Sequence, residues 1–315
     1  MITKYKIRED LYKSVNGHTV YRIEALKNFS RVQKGDLGGW IEKEDNLSQE
    51  GTCWVYGDAC VYSDARVEDD ARIYNTAQVY DNAIIRANAI IWGEAKVFGR
   101  AEVCNKAQVY DNAELYGEAL ICGGARVSGK SKVHGQAKIF EEAKVNGYAE
   151  VYDEAQLQWN ARVHEYAKVY GRAEIKDNAV IGGSAKVYGQ AEIGGNVEVD
   201  DNAEVYKYAR IEGNVVVYGN SKVYGNAYID GEAEIKGNAI IKSYKDYYVG
   251  KNVWSSGRFF TYTRSNKMWA VGCFYGTSKE LIEKAYKDSE LSGMEYERVV
   301  KYVEEMYKDI ENTHH

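Results

Sequence analysis

The sequence predicts an all-β solenoid, a parallel β-helix of about 10 to 11 triangular coils, and three observations support this fold class. The chain of 315 residues contains no proline, a residue that cannot donate to a β-ladder and is excluded from central strands. An apolar period of six residues runs from Cys53 to Ile241 without an insertion or deletion. Residues that tolerate turns and left-handed backbone recur at the same period.

Residues 1–52 lack this period, and we predict that they form an N-terminal cap. They contain one strand-like segment from Thr19 to Ile23, and a second segment from Asp36 to Ile41 leads into the first repeat at Cys53. A solenoid buries its apolar interior only where coils stack on one another, so each end needs a cap.

The repeat itself occupies residues 53–244. Every sixth residue from Cys53 to Ala239 is small or of modest volume, and 27 of these 32 residues are Ala. Two positions after each of them stands Val, Ile or Leu, at all 32 positions from Val55 to Ile241. Alternation along a strand sends both residues to one side, while Gly, Asp, Asn or Glu fills most of the last two places of each hexad. Three short strands and three corners therefore close a coil of 18 residues.

Residues 245–315 are predicted to form a C-terminal cap of a hairpin and two helices. The hairpin strands run from Phe259 to Arg264 and from Met268 to Tyr275. The first helix is capped by Thr277 or Ser278 and ends near Ser289, and the second runs from about Met294 to Ile310.

The hexads resemble those of the hexapeptide-repeat family, whose fold is a left-handed parallel β-helix. The resemblance covers residues 53–244, although Gly follows the aliphatic residue one place later than is usual in that family, as in Val187-Tyr188-Gly189. Many family members are acyltransferases that act between subunits of a trimer, with a catalytic His that is often on a projecting loop. Both ends of the chain also resemble uncharacterised phage and prophage proteins of this type, many of them labelled putative transferases.

Composition excludes several classes of protein. The net charge of −6 argues against a nucleic-acid partner. No apolar window is long enough to span a membrane, and the first ten residues do not resemble a signal peptide, so we expect a protein of the bacterial cytoplasm. Five cysteines without CxxC spacing are expected to be reduced thiols there, including the stacked pair Cys104 and Cys122.

Outward residues 18 positions apart should lie on adjacent coils of one face, so they form columns. The aromatic column consists of Tyr62, Tyr80, Phe98, Tyr116, His134, Tyr152, Tyr170, Tyr188, Tyr206 and Tyr224. Lys and Glu mostly alternate in the column beside it. Stacked rings can simply stabilise the sheet surface, or they can form a docking surface. In the second case Tyr152, Tyr170, Tyr188 and Tyr206 would be contact residues.

A second face should expose large apolar side chains at its start. This aromatic patch consists of Trp54, Tyr56, Tyr74, Ile90, Trp92 and Tyr110. Such a cluster indicates a contact, either with the N-terminal cap or with a second chain. We predict that the protein forms a dimer or a trimer of identical chains. The contact between chains would use either this patch or the C-terminal helices.

The same face then carries three cations in succession, Arg126, Lys144 and Arg162, which we call the cation column. Ser128, Asn146 and His164 lie beside it, and Lys130 stands at its corner. Unlike the alternating column, it contains no acid, so it is a candidate site for phosphate, a nucleotide or an acidic partner. The alternative is that the corner residues Glu141, Glu142 and Glu165 neutralise it.

The sequence favours a binding protein over an enzyme. His134 and His164 are the only histidines inside the repeat, and they are 30 residues apart, which places them on different faces. No loop interrupts residues 53–244, and a zinc site would need three clustered histidines, so we predict no catalytic residue, no metal and no cofactor. We predict a non-catalytic binding or scaffold protein, of phage or prophage origin, that binds and inhibits a bacterial defence factor. The alternative is an acyltransferase that acts at a subunit interface.

Overall fold

The computed structural model describes residues 3–312. The outermost ends of the two predicted caps, residues 1–2 and 313–315, lie outside the described residues. The described chain forms two compact units, residues 3–177 and residues 178–312. The division into three segments at residues 52 and 244 stays a prediction.

Three strands precede the repeat in the first unit: β1 (Tyr5–Val15), β2 (His18–Ala25) and β3 (Leu37–Ile41). β1 and β2 form an antiparallel hairpin, and β2 pairs antiparallel with β3. Asn16 and Gly17 make the hairpin turn with φ of 52° and 87°, as a tight two-residue turn requires. β3 then pairs in parallel with Cys60–Val61, and a 3-10 turn spans Glu44–Asn46. The N-terminal segment is therefore hydrogen-bonded to the edge of a solenoid sheet.

The repeat forms a parallel β-solenoid of two-residue strands, about 11 turns in total. In the first unit, face A consists of Cys60–Val61, Gln78–Val79, Lys96–Val97, Glu114–Leu115, Lys132–Val133, Glu150–Val151 and Lys168–Val169. Face B consists of Trp54–Val55, Arg72–Ile73, Ile90–Ile91, Gln108–Val109, Arg126–Val127, Lys144–Val145 and Arg162–Val163. Face C consists of Arg66–Val67, Ile84–Ile85, Glu102–Val103, Leu120–Ile121, Lys138–Ile139, Gln156–Leu157 and Glu174–Ile175.

The second unit continues the same repeat. Its strands are Val180–Ile181, Lys186–Val187, Glu192–Ile193, Glu198–Val199, Glu204–Val205, Arg210–Ile211, Val216–Val217, Lys222–Val223, Tyr228–Ile229, Glu234–Ile235 and Ile240–Ile241. Residues 18 apart pair in register, as Lys186 does with Glu204. The predicted period of 18 residues per coil is confirmed within each unit.

The inward side chains form the core of the solenoid. All 32 aliphatic residues from Val55 to Ile241 are fully buried, and the small residues two positions before them are also inaccessible to solvent. Every sixth residue from Gly57 to Gly237 has a positive φ and turns the chain at a corner. Each aliphatic residue is thus followed by one outward residue and then by a residue with left-handed backbone. This order explains why Gly comes two places after the aliphatic residue.

The C-terminal segment of the second unit is an antiparallel sheet covered by two helices. The sheet follows a 3-10 turn at Tyr244–Asp246 and consists of Tyr247–Lys251, Phe259–Thr263, Met268–Val271 and Phe274–Thr277. Helix α1 spans Ser278–Asp288 and helix α2 spans Glu290–Asn312. Thr277 caps α1, and its side chain accepts a hydrogen bond from the Glu280 backbone N–H.

The hairpin and both helices were predicted, but three details differ. The strand Tyr247–Lys251 was not predicted, the segment from Met268 to Tyr275 divides into two strands, and α2 begins four residues earlier than expected. Neither helix is both long and apolar enough to cross a membrane.

The stacked cysteines correct one expectation. Cys104 and Cys122 form a disulfide, with their Cα atoms 4.8 Å apart, so the prediction of two free thiols is wrong for this pair. The 18-residue period places them on adjacent turns of face C, within the Cα separation that a disulfide requires. Cys53, Cys60 and Cys273 are free thiols.

Candidate binding surface

The cation column lies on face B of the first unit. Arg126 pairs with Lys144, and Lys144 pairs with Arg162, in consecutive parallel strands. The aliphatic residue that follows each cation is fully buried, so the cation itself is on the outer side of the strand. The sequence period therefore places three positive side chains on adjacent rungs, about 4.8 Å apart.

Within residues 3–312, the cations of this column form no ion pair with an acid. Among the described residues, none forms an ion pair or a side-chain hydrogen bond with Arg126, Lys144 or Arg162. The carboxylate of Glu141 instead accepts a hydrogen bond from the Trp159 backbone N–H at 3.2 Å. The carboxylate of Glu165 lies 3.9 Å from the His164 ring. The alternative in which corner acids pair with the cations is not observed.

On face A of the same unit, Lys and Glu side chains form ion pairs. The ammonium groups of Lys96 and Lys132 each lie 3.7 Å from the Glu114 carboxylate, one on either side of it. Lys168 is bound to Glu150 at 2.9 Å. The difference between the two faces follows from the sequence alone, because Lys and Glu alternate on face A, whereas three cations are consecutive on face B.

The polar residues predicted beside the column are not equally available. Asn146 is exposed and His164 is partly exposed, so both can contact a partner. Ser128 is only 8% exposed, and its carbonyl accepts a hydrogen bond from the Ser131 hydroxyl at 2.7 Å. Little of the Ser128 side chain is therefore accessible to a partner.

Aromatic side chains border the column at one corner. Tyr148 and Tyr166 are stacked with ring centroids 5.1 Å apart and are 50% and 60% exposed. The ammonium of Lys130 lies over the Tyr148 ring, 5.4 Å from its centroid, a distance at which a cation is attracted to the ring face. Lys130 is therefore at the position predicted, next to two exposed tyrosines.

The sequence analysis missed Trp159, which lies at the corner before the strand of Arg162. Its side chain is 47% exposed and its φ is 55°. A bulky residue in left-handed backbone is uncommon, and Gly, Asp, Asn and Glu occupy most equivalent positions. A tryptophan at a corner position was therefore an observable departure from the repeat.

The aromatic patch is partly covered. Trp54 is 1% exposed, because the rings of Tyr5 and Phe29 pack edge-on against it with centroids 6.1 Å and 5.3 Å away. For Trp54 the contact is therefore with the N-terminal segment, and it cannot form part of an intermolecular surface.

The rest of the aromatic patch reaches the surface. Tyr56 stacks on Tyr74 at 4.4 Å, and Trp92 stacks on Tyr110 at 4.5 Å. Trp92 is 37% exposed, while Tyr56, Tyr74, Ile90 and Tyr110 are partly buried. These five residues stay the candidate surface for a second chain.

The aromatic column is a continuous stack in each unit. Neighbouring rings from Tyr62 to Tyr170 have centroids 4.6 to 5.0 Å apart, and those from Tyr188 to Tyr224 are 4.8 to 4.9 Å apart. Tyr62 is almost fully buried and accepts a hydrogen bond from Asn16 of the hairpin turn. Tyr152, Tyr170, Tyr188 and Tyr206 are partly exposed, so they can both stabilise the sheet and contact a partner.

The two internal histidines lie on different faces, His134 on face A and His164 on face B. His134 is stacked between Tyr116 and Tyr152, and desolvation by these rings lowers the pKa of its imidazole below the usual value. Neither is part of a group that could hold a metal: in residues 3–312 no three His, Cys, Asp or Glu side chains are suitably arranged.

Comparison with known proteins gives one local similarity. No known protein family matches the chain. A stretch of 35 residues, 11% of the chain, is 49% identical to the uncharacterized acetyltransferase YdcK of Escherichia coli (strain K12). The chain spans 11% of the length of that protein, so the similarity is confined to about two coils' worth of sequence.

Proposed function

We propose that the protein is a non-catalytic β-solenoid that binds an acidic segment of a partner protein on face B. The carboxylates of the partner would contact Arg126, Lys144 and Arg162. The exposed rings of Tyr148, Tyr166 and Trp159 border these cations, and large aromatic side chains are enriched at protein interfaces.

One observation carries this proposal: three cations in register form no ion pair with any acid in the part of the chain that the structure describes. Two unit charges at about 4.8 Å repel by roughly 1 kcal/mol even in water. An anionic partner would remove this repulsion on binding and would gain charge-assisted hydrogen bonds from the two guanidinium groups.

The test measures binding of an acidic peptide. The probe is a fluorescein-labelled peptide of about ten glutamates, which is long enough to cross three rungs. We expect its affinity to fall about tenfold or more in Lys144→Glu, and to fall with added salt because exposed charges are screened. The folded state of Lys144→Glu should be as stable as wild type or more stable, since the new carboxylate lies between Arg126 and Arg162.

Lys132→Glu is the matched control, because it changes the net charge equally but lies on face A beside Glu114. It should bind the peptide nearly as well as wild type does. An equal loss of affinity in both variants would show only a general charge effect. A lower melting temperature for Lys144→Glu with unchanged binding would show that the column is structural.

The phage-like ends suggest a finer version of this function, in which the protein is phage-encoded and inhibits a bacterial defence factor by binding it. This version predicts that a bacterial protein co-purifies with the wild type and is lost in Lys144→Glu. A partner retained equally by both proteins would contradict binding through the cation column.

Acyl transfer is a second candidate, supported by the local similarity to an uncharacterized acetyltransferase. It predicts transfer of the acetyl group from acetyl-coenzyme A to an acceptor amine or hydroxyl, with release of the free coenzyme A thiol and loss of that activity in His134→Ala or His164→Ala. We expect no His-dependent activity, because both rings lie on flat faces without a projecting loop. Activity that disappears in either variant, with the fold intact, would establish an enzyme.

A further inference from the structure

A cavity of about 310 Å³ lies in the C-terminal segment of the second unit. It is bounded by residues 252–258, by the ends of the strands near Val271 and Phe274, and by helices α1 and α2. Its volume is at the lower end of the range for small-molecule sites. None of the residues of the cation column belongs to it.

One wall of this cavity is apolar. Leu281 and Ala285 of α1 are each 3% exposed, and Val271 and Phe274 lie beside them. An apolar group placed here would leave water and contact these side chains, which favours binding in proportion to the area that it buries.

Two cations stand at the opening. Arg258 and Lys284 line the cavity, and their side chains form no ion pair or hydrogen bond with any other described residue. Asp288 is the acid among the lining residues, so the charged side chains carry a net charge of +1. The C-terminal end of α1 and the N-terminal end of α2 both lie at this edge, so their opposite dipoles offset each other and the side-chain charges decide the preference for an anion.

Two hydroxyl groups are available inside. Ser292 is 7% exposed and lines the cavity, but its hydroxyl has no hydrogen-bond partner among the described residues. The hydroxyl of Tyr296 accepts a hydrogen bond from the Asn252 side-chain amide at 3.1 Å, and its own proton has no acceptor there. The Ser292 hydroxyl is therefore open to the cavity, and a ligand atom that accepts from Ser292 and Tyr296 would gain a hydrogen bond from each.

We infer that this cavity is a binding site for a small organic anion with an apolar body, such as an aryl or short alkyl carboxylate or phosphate. The anionic group contacts Arg258 and Lys284 and accepts hydrogen bonds from Ser292 and Tyr296. The apolar body packs against Leu281 and its neighbours.

Calorimetric titration of the full chain tests this inference with four probes. Benzoate and phenyl phosphate combine an aromatic ring with an anionic group, benzyl alcohol has the ring without the charge, and inorganic phosphate has the charge without the ring. We expect one molecule of each aryl anion to bind per chain. Benzyl alcohol and inorganic phosphate should bind with at least about tenfold lower affinity.

Two variants locate the binding. Arg258→Gln removes an exposed charge and should lower the affinity for both aryl anions about tenfold. Ser292→Leu places a larger side chain in the cavity and should abolish their binding. Lys301→Gln, an exposed cation of α2 outside the cavity, is the matched control and should bind as wild type does. Melting temperatures confirm that each variant is folded.

Two results would overturn the inference. One is that neither aryl anion binds saturably to the wild type up to about 10 mM. The other is that Arg258→Gln, which can fold even if Ser292→Leu cannot, binds both anions as tightly as Lys301→Gln does.

Discussion

Ala143 shows how tightly the residues inside the solenoid are packed. Its side chain is fully buried in a triangular interior closed by strands on three sides. Ser131 and Ser221 occupy equivalent positions, and their hydroxyls donate to the carbonyls of Ser128 and Tyr218 at 2.7 Å and 2.5 Å. The position therefore accepts a hydroxyl, because a carbonyl three residues earlier satisfies it.

Two substitutions of Ala143 should therefore lower the stability of the fold by different amounts. Ala143→Leu should destabilise the fold by about 1 to 3 kcal/mol, because a closed interior has no room for added methylene groups. Ala143→Ser should cost much less, since its hydroxyl can donate to the Phe140 carbonyl. Urea denaturation of both variants measures the two changes, and an equal loss for Leu and Ser would show that volume does not limit the interior.

His134 gives a residue-scale prediction about pH. Its pKa is lowered in the folded state by desolvation between Tyr116 and Tyr152. As the pH falls below about 6.5, the unfolded chain therefore takes up a proton before the folded chain does, and stability is lost. We expect His134→Tyr to lose less stability than wild type between about pH 8 and about pH 5.

Denaturant midpoints at the two pH values measure this difference. Tyr116→Phe keeps the stack and the titrating His134, so it should retain the wild-type pH dependence. If His134→Tyr loses as much stability as wild type, the imidazole does not contribute to the pH dependence.

At the scale of the element, the disulfide between adjacent strands of face C gives the next prediction. It links Cys104 to Cys122, which are 18 residues apart. A cross-link that closes a loop of this size restricts the unfolded chain and stabilises the fold by about 3 kcal/mol.

Cys104→Ser and Cys122→Ser should each lose about this much stability under oxidising conditions. Both should match the wild type once a reducing agent is present. Cys273→Ser is the control, since that thiol is free and exposed. An unchanged unfolding midpoint for reduced wild type would mean that the bond does not stabilise the fold.

The elements differ in how well the sequence predicts them. The solenoid strands are predicted residue by residue, because one six-residue rule sets burial, pairing and corner together. The strand Tyr247–Lys251 forms by pairing with Phe259–Thr263, a contact across a loop that no local pattern reveals.

The start of α2 was missed for a related reason. Gly293, a poor helix former, precedes the predicted start at Met294, yet it lies inside the helix. A Cβ atom at this position would collide with the Tyr286 ring of α1. The glycine is explained by helix–helix packing, which depends on tertiary structure.

At the scale of the whole molecule, the sequence predicts which residues share a column. It does not predict which partners their side chains contact or how deeply they are buried. The 18-residue period places Arg126, Lys144 and Arg162 together, but only the structure shows that Glu141 and Glu165 do not pair with them. The burial of Trp54 depends on Tyr5 and Phe29, which lie outside the repeat. The cavity beside Ser292 depends on how the C-terminal sheet and helices pack, so no sequence period predicts it.

The last prediction concerns self-association. The exposed Trp92 stacks on the partly buried Tyr110 beside Ile90, and Tyr56 and Tyr74 form a second stacked pair on the same face. Association would remove this apolar area from water. We expect light scattering at tens of micromolar protein to give two or three times the monomer mass, and Trp92→Glu to give the monomer mass, because a buried carboxylate without a partner opposes association. Tyr206→Glu, which places the same charge on the aromatic column, is the comparison. A monomeric mass for wild type would exclude the predicted oligomer. Dissociation caused by Tyr206→Glu but not by Trp92→Glu would show that the contact between chains lies on the aromatic column.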